Sequence, residues 1–231
     1  MASRASHAQN EQSPKPRRRT GSRDPEATRR LILQAAIAEF ADLGFGGARI
    51  EGISQRSGFN LRMIYYYFGS KEALYVAALE QVYSELVAAE QALNLHDEDP
   101  RDGMRRIISF TWHYFNDHPE FVRLVNTENM LGARFARRST LISNNASPQL
   151  KVLQDLLSRG IAAGYFRRDA SVFETHLTIN SLCYFHVSNR ATMSNYLGYD
   201  MTSQASHDLW LSHVTQVVMD YLTAKSGHSQ R

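Results

Sequence analysis

Apolar positions recur along this chain at helical spacing almost from end to end. Ile32, Ala36 and Phe40 stand four residues apart with Leu33 and Ile37 beside them, which makes one apolar stripe. A strong start signal precedes it: Asp24 as an N-cap acid, Pro25 at the first helical position and Glu26 in the first turn. Gly44 is expected to end this helix. A short second helix is predicted over 50–57 and a third over 61–67, with Gly58 between them and Asn60 as the N-cap of the third. Ser70 caps a long fourth helix that runs through Leu74, Leu79, Val82 and Leu86 to about residue 93. An acidic loop at 96–100 follows. Further helices are predicted over 101–116, 119–131, 148–163, 169–190 and 206–224. The breakers between them are His118-Pro119, Gly132, the polar run 139–148, Gly164 and a loop around Gly198. No segment alternates like a strand and no internal repeat is visible, so the fold class is all-α.

Composition narrows the setting. A chain of 231 residues with 43% hydrophobic content supports one good-sized core or two smaller ones. No uninterrupted apolar run reaches the about 18 residues of a membrane span. Residues 1–30 are polar and basic without the apolar centre of a signal peptide. Cys183, the single cysteine, rules out an internal disulfide framework and suits a reducing compartment. The expected location is cytoplasmic.

The net charge of +3 is unevenly spread. Residues 1–23 hold six Lys or Arg against one acid, residues 24–75 balance, and residues 76–231 are slightly acidic. The first segment, rich in Ser, Gln, Pro and Arg, is expected to be a disordered basic arm. Such arms often find phosphate, because each neutralised phosphate releases counterions; a solvated tail without a partner fits the composition equally.

The informative stretch is 49–74. Two short helices joined by a tight Gly-containing turn describe a helix-turn-helix, with the motif at about 49–68. Ile50, Ile53, Ile64 and Phe68 are spaced to pack inward against the first helix. That leaves Leu61, Arg62, Met63 and Tyr66 outward at the start of the third helix, where a recognition helix brings its N-terminal residues to the bases. Three consecutive tyrosines, Tyr65, Tyr66 and Tyr67, supply hydroxyls for phosphate oxygens; the alternative for each ring is core packing. Arg49, Arg56, Arg62 and Lys71 against Glu51 make residues 49–71 locally basic. Gly44, Gly46 and Gly47 do not form a phosphate loop, since no strand precedes them and no Walker lysine follows.

Residues 32–74 resemble the DNA-binding domain of the TetR family of transcriptional regulators. The resemblance is carried by Ile32-Leu33-x-Ala35-Ala36, Phe40, Gly44-Phe45, Ile53, Gly58 and Tyr65-x-Tyr67-Phe68-x-Ser70-Lys71-Glu72-x-Leu74. It implies a three-helix helix-turn-helix domain over 24–75 joined to a helical-bundle domain over 76–231 for effector binding and dimerisation. By the same resemblance Asn60 to Met63, Tyr65 to Tyr67 and Lys71 face DNA, and we add Arg49 to that set. Four places depart from the family pattern: Ser57-Gly58 where Ala-Gly is usual, Ala48-Arg49 where a Thr is usual, Phe59-Asn60 where Val and Ser are frequent, and the bulky Leu61-Arg62-Met63. The base preference of a relative therefore does not transfer. The second half is similar to a TetR C-terminal subtype through Gly164-Tyr165-Phe166-Arg167-x-Asp169, Cys183-Tyr184-Phe185 and Ser188-Asn189-Arg190-x-Thr192. The implied protein is a ligand-released repressor, a homodimer on palindromic double-stranded operator DNA, with a small-molecule effector and neither cofactor nor membrane partner.

A sensing pocket needs an apolar lining with a few convergent polar groups. The helices at 101–116, 119–131 and 169–190 carry aromatic and amide side chains near their middles, against the plainer reading that each is a satisfied core or interface group. The expected lining is Trp112, Phe115, Asn129, Met130, Asn180 and Tyr184, with Arg123, Arg134 or His176 available to neutralise a carboxylate. The expected dimer faces are Phe173, Leu177, Leu182 and Phe185 on one terminal helix and Leu209, Leu211, Val214, Val217, Val218 and Tyr221 on the other. His113 with His118, or His176 with His186, lack the ligand spacing of a zinc site. Cys183, mid-helix in an apolar run, reads as buried rather than redox-active. A helical-bundle enzyme would need a Gly-x-Ser-x-Gly, Glu-x-x-His or Cys-x-x-Cys element, all absent; a non-sensing adaptor would not need a recognition helix.

Overall fold

The structure, a computed structural model, describes residues 24–144 and 148–223, and among them it contains no strand. The basic arm at 1–23 and part of the 139–148 run lie outside the described residues. Ten α-helices follow in order: α1 Pro25–Gly47, α2 Ile50–Ser57, α3 Leu61–Phe68, α4 Lys71–Gln91, α5 Pro100–Asp117, α6 Pro119–Met130, α7 Thr140–Asn144, α8 Pro148–Ala162, α9 Val172–Leu197 and α10 Gln204–Thr223. None of the described helices is long and apolar enough to cross a membrane.

Local chemistry sets most of the starts. Asp24 Oδ1 accepts from the Glu26 amide, Asn60 from Met63, Ser70 from Ala73 and Asp99 from Arg101, each satisfying a donor that an α-helix leaves open. Gly44 adopts φ 65° near the end of α1, so the helix proper breaks there as expected. Gly58 closes α2 at φ 73°. Two elements differ from the sequence expectation: α7 lies inside the 139–148 run read as a breaker, and α9 differs at both ends. It begins at Val172, capped by Ser171, and continues past Arg190 to Leu197, because no breaker intervenes before Gly198 at φ 61°. Asp169, the expected start, instead pairs with Arg167.

Ile32, Ala36 and Phe40 of α1 are fully buried, as are Ile53 of α2 and Ile64 of α3, so the three short helices share one core. Phe40, Phe45, Tyr75 and Phe135 continue that core as an aromatic cluster, with Phe45 and Phe135 centroids 4.4 Å apart. Glu128 holds Phe135 in place: its Oε2 accepts the amides of Phe135 and Ala136 at 3.0 and 2.8 Å. α4 runs unbroken from the base of α3 into the C-terminal bundle, and α6 packs along α1. Behind them α5, α8, α9 and α10 form the rest of the bundle around Met104, Ile107, Leu156, Ile179, Cys183 and Val214.

Candidate nucleic-acid interface and cavity

The α2–α3 pair is aimed by a buried carboxylate. Glu39 of α1, 5% exposed, lies against Gly52 of α2, where a Cβ would collide with its carboxylate. Its Oε2 accepts from Arg56 Nε at 2.7 Å and its Oε1 from the Arg49 amide at 3.5 Å. Arg56 also donates to Asp42 at 2.8 Å, and the other oxygen of Asp42 accepts from Arg123 of α6 at 3.0 Å. One chain of charge-assisted bonds thus ties α2 to α1 and α1 to α6. Arg56, one of the bases that make 49–71 positive, is spent inside this network.

α3 presents the opposite face to solvent. Ile64 and Phe68 are buried, whereas Arg49, Asn60, Leu61, Arg62, Tyr65 and Tyr66 are exposed, Tyr66 by 79%. Met63, Tyr67 and Lys71 are half-buried. Tyr67 packs against the core edge and meets the Tyr66 ring edge-on at 5.2 Å. Lys71 Nζ lies 4.7 Å from the Phe45 ring centroid, and Arg29 of α1 covers Phe68 at 5.1 Å. Of the nine expected residues six are exposed and three half-buried, and eight of them lie between the N-cap of α3 and the first residue of α4. Arg29 is an addition that the helix-turn-helix pattern, which begins later in the chain, does not mark.

In the second half α4, α5, α6, α7 and α9 enclose a cavity of about 260 Å³. Phe115, Asn180 and Tyr184 of the expected set line it, together with His176. Trp112, Asn129 and Met130 do not, and these three positions are corrected. Trp112 turns to the far side of α5, edge-on to His186 at 4.9 Å and near His207 and α10. Asn129 and Met130 close α6 on its solvent side, Met130 83% exposed, since the inward stripe of that helix is Phe121, Val125 and Glu128. The sequence reading missed the α4 wall, Tyr83, Leu86, Val87 and Glu90, whose apolar spacing does not distinguish a cavity lining from a packed core. Arg123 and Arg134 stand elsewhere, the first on Asp42 and the second over the Phe135 ring. The Tyr184 hydroxyl donates to Asn126 Oδ1 at 2.6 Å, and Asn180 Nδ2 donates to the His176 carbonyl at 2.9 Å. Burial holds the His176 imidazole below its ordinary pKa and pushes the Tyr184 hydroxyl up to about 12, so both are neutral near pH 7. Cys183 is fully buried and its thiol is pushed up to about 12, the opposite of a reactive thiolate. Among the described residues no cluster of His, Cys, Asp or Glu is arranged to hold a metal.

Comparison with known proteins agrees with both halves. Residues 32–78 match the family model described as bacterial regulatory proteins of the tetR family, and residues 100–218 match the tetracyclin repressor-like C-terminal domain. The chain is 40% identical over 204 residues to the HTH-type transcriptional repressor NicS of Pseudomonas putida, covering 87% of this chain and 96% of that one. It is 33% identical over 141 residues to the HTH-type transcriptional regulator RutR of Escherichia coli, covering 61% and 63%. Among solved structures, FadR of Bacillus subtilis in complex with stearoyl-CoA superposes with a TM-score of 0.59 at 16% identity, covering 84% of this chain and 98% of that one. The two family models and the nearly full-length similarity to a repressor place the chain in the TetR family, as a DNA-binding transcriptional regulator and not an enzyme.

Proposed function

We propose that the chain is a homodimeric repressor that reads a palindromic operator with Arg49, Asn60 to Met63, Tyr65 to Tyr67 and Lys71, and leaves it when a small molecule fills the C-terminal cavity. The observation that carries the reading is the exposed face of α3. A helix held rigidly on its buried side by Ile64 and Phe68 leaves Arg62 and Tyr66 in solvent, where no internal packing requires them. Arg62 suits the guanine edge, and the tyrosines and Lys71 suit phosphates. NicS, similar over nearly its whole length, carries the word repressor in its name.

Two further features support the finer parts. α6 has two faces: Phe121 and Val125 line the cavity, while Arg123 grips Asp42 of α1 and Thr127 stands where a side chain at Gly44 would touch it. Filling the cavity displaces α6, and α6 carries α1 with it, so the ligand selects a different spacing of the reading heads. FadR of Bacillus subtilis holds stearoyl-CoA; a cavity of about 260 Å³ takes something far smaller. The described wall offers rings, the Asn180 amide, tyrosine hydroxyls, the His176 imidazole and the Glu90 carboxylate and no guanidinium, which fits a small aromatic molecule with hydrogen-bond donors on its edge. For the dimer, α9 and α10 expose Phe173 by 62%, Leu209 by 67%, and also Leu177, Phe185 and Val217. Val214 and Val218 are spent in the chain's own core and Leu182, Leu211 and Tyr221 are half-buried, so the free apolar area is narrower than the spacing alone suggested.

The test titrates the full chain into labelled duplex from upstream of its own coding region, with and without any compound that raises Tm in a thermal-shift screen of small aromatics. Saturable binding that weakens with the compound is expected, and Asn180→Leu should keep DNA binding while losing the response. If stabilising compounds leave DNA affinity unchanged, release by ligand is wrong.

A further inference from the structure

α6 and α9 enclose a second recess of about 170 Å³. Its polar lining is Arg123 and Asn126 from α6 and Ser188 and Arg190 from α9. The run Ser188-Asn189-Arg190 stands out in the sequence, and neither DNA reading nor the apolar cavity uses it.

Arg190 is half-buried, yet no carboxylate pairs with it among the described residues; its one hydrogen bond there is Nη1 to Asn116 Oδ1 at 3.4 Å. A guanidinium has five N–H donors, so four remain. Its charge is felt in the core: after burial and His207, Arg190 is the third cause holding His186 at about 4. Asn126 is oriented by Tyr184, whose hydroxyl takes the Oδ1 and leaves the Nδ2 donor for the recess. Arg123 reaches the rim with one nitrogen on Asp42. Glu120, in the first turn of α6, lies 3.1 Å from His118 Nδ1. Pro119 at the first turn of the twelve-residue α6 also borders the recess, which adds the positive end of a helix.

We propose that this recess is a binding site for a small oxyanion, a carboxylate or a phosphate, held by the fork of Arg190 with Asn126 Nδ2 and Arg123. The planar fork matches two oxygens of such an ion, and the amide supplies a third donor. The site is separate from the apolar cavity and does not rest on what that cavity binds. The Tyr184–Asn126 hydrogen bond joins a residue of the cavity wall to one of the recess, and the anion competes with Asp42 for Arg123.

The test is isothermal titration calorimetry of the full chain with sodium phosphate and with sodium succinate, at constant ionic strength made up with sodium chloride. Saturable binding of at least one of the two, one ion per chain, is expected. Arg190→Gln should weaken it at least about tenfold and Asn126→Ala about threefold or more. Arg105→Gln, at an exposed arginine of α5 paired with Asp102, should leave it unchanged. Response to phosphate alone assigns a phosphate site, to succinate alone a carboxylate site, and to both a general oxyanion site. No saturable heat from either salt, or equal weakening by Arg190→Gln and Arg105→Gln, overturns the proposal. Should Arg190→Gln fail to fold by circular dichroism, unchanged affinity in Asn126→Ala overturns it.

Discussion

Arg62 and Lys71 are both basic residues of the proposed reading surface, but they stand in different surroundings. Arg62 projects freely from the first turn of α3, while Lys71 rests over the Phe45 ring at the start of α4. Under the proposed function Arg62→Ala costs about 1–3 kcal/mol at one base pair of each half-site and relaxes preference there. Lys71→Ala weakens all duplexes alike and lowers the salt slope by about one ion. Affinity across a panel of operator variants at several salt concentrations separates the two; a uniform loss for Arg62→Ala would contradict its role at a base. What the sequence shows at this scale is what depends on near neighbours. Asn60, Ser70 and Asp99 are legible as caps because the donors they satisfy lie two or three residues on. Trp112 was misplaced because its partners, His186 and His207, are distant in the chain, and an aromatic residue in mid-helix fits a cavity wall or a core equally well. Glu39 gave no signal of its network, since a single acid on an apolar stripe does not announce a partner 17 residues away.

Between elements, the weight falls on few contacts. α2 meets α1 through Glu39, and Glu39→Gln keeps the shape while removing the charge that Arg56 and the Arg49 amide share. It should destabilise the chain by about 1–3 kcal/mol in urea denaturation, and an unchanged midpoint would show that apolar packing alone sets the pose of α2. α9 and α10 meet around His186, 1% exposed and held at about 4 by burial, His207 and Arg190, against an ordinary 6.5. The folded state therefore stays neutral where the unfolded chain takes up a proton. This stability is full above pH 6.5 and is lost as pH falls from 6.5 toward 4. Thermal unfolding across that window should show a drop in Tm that His186→Phe makes smaller; an equal drop in the variant would place the acid sensitivity elsewhere. The ends of α9 illustrate why element boundaries were harder to read than element existence. The spacing of Ile179, Cys183 and Val187 marks a buried helix, but residues beyond Arg190 are mostly exposed and leave no periodic trace, so only Gly198 shows the true end.

At the scale of the whole molecule the all-α architecture was legible because apolar residues three and four apart mark part of each long helix and no segment alternates like a strand. The cavity was only half legible, since it arises where five helices meet and not from any one of them. The apolar residues left exposed on α9 and α10 predict a dimer at micromolar concentration by sedimentation velocity. Leu209→Lys should shift it toward monomer, whereas Leu43→Lys, at an exposed leucine on α1, should not. A symmetric dimer with the exposed α3 of each chain directed to DNA sets half-sites one helical turn apart or a multiple of it, about 34–36 Å per turn. The most direct test is selection of bound duplexes from a random library by the full chain, followed by sequencing. The account predicts an enriched inverted repeat that weakens when Arg62→Ala is used for the selection. Enrichment of no sequence above the starting library, or of one unpaired half-site, would contradict it.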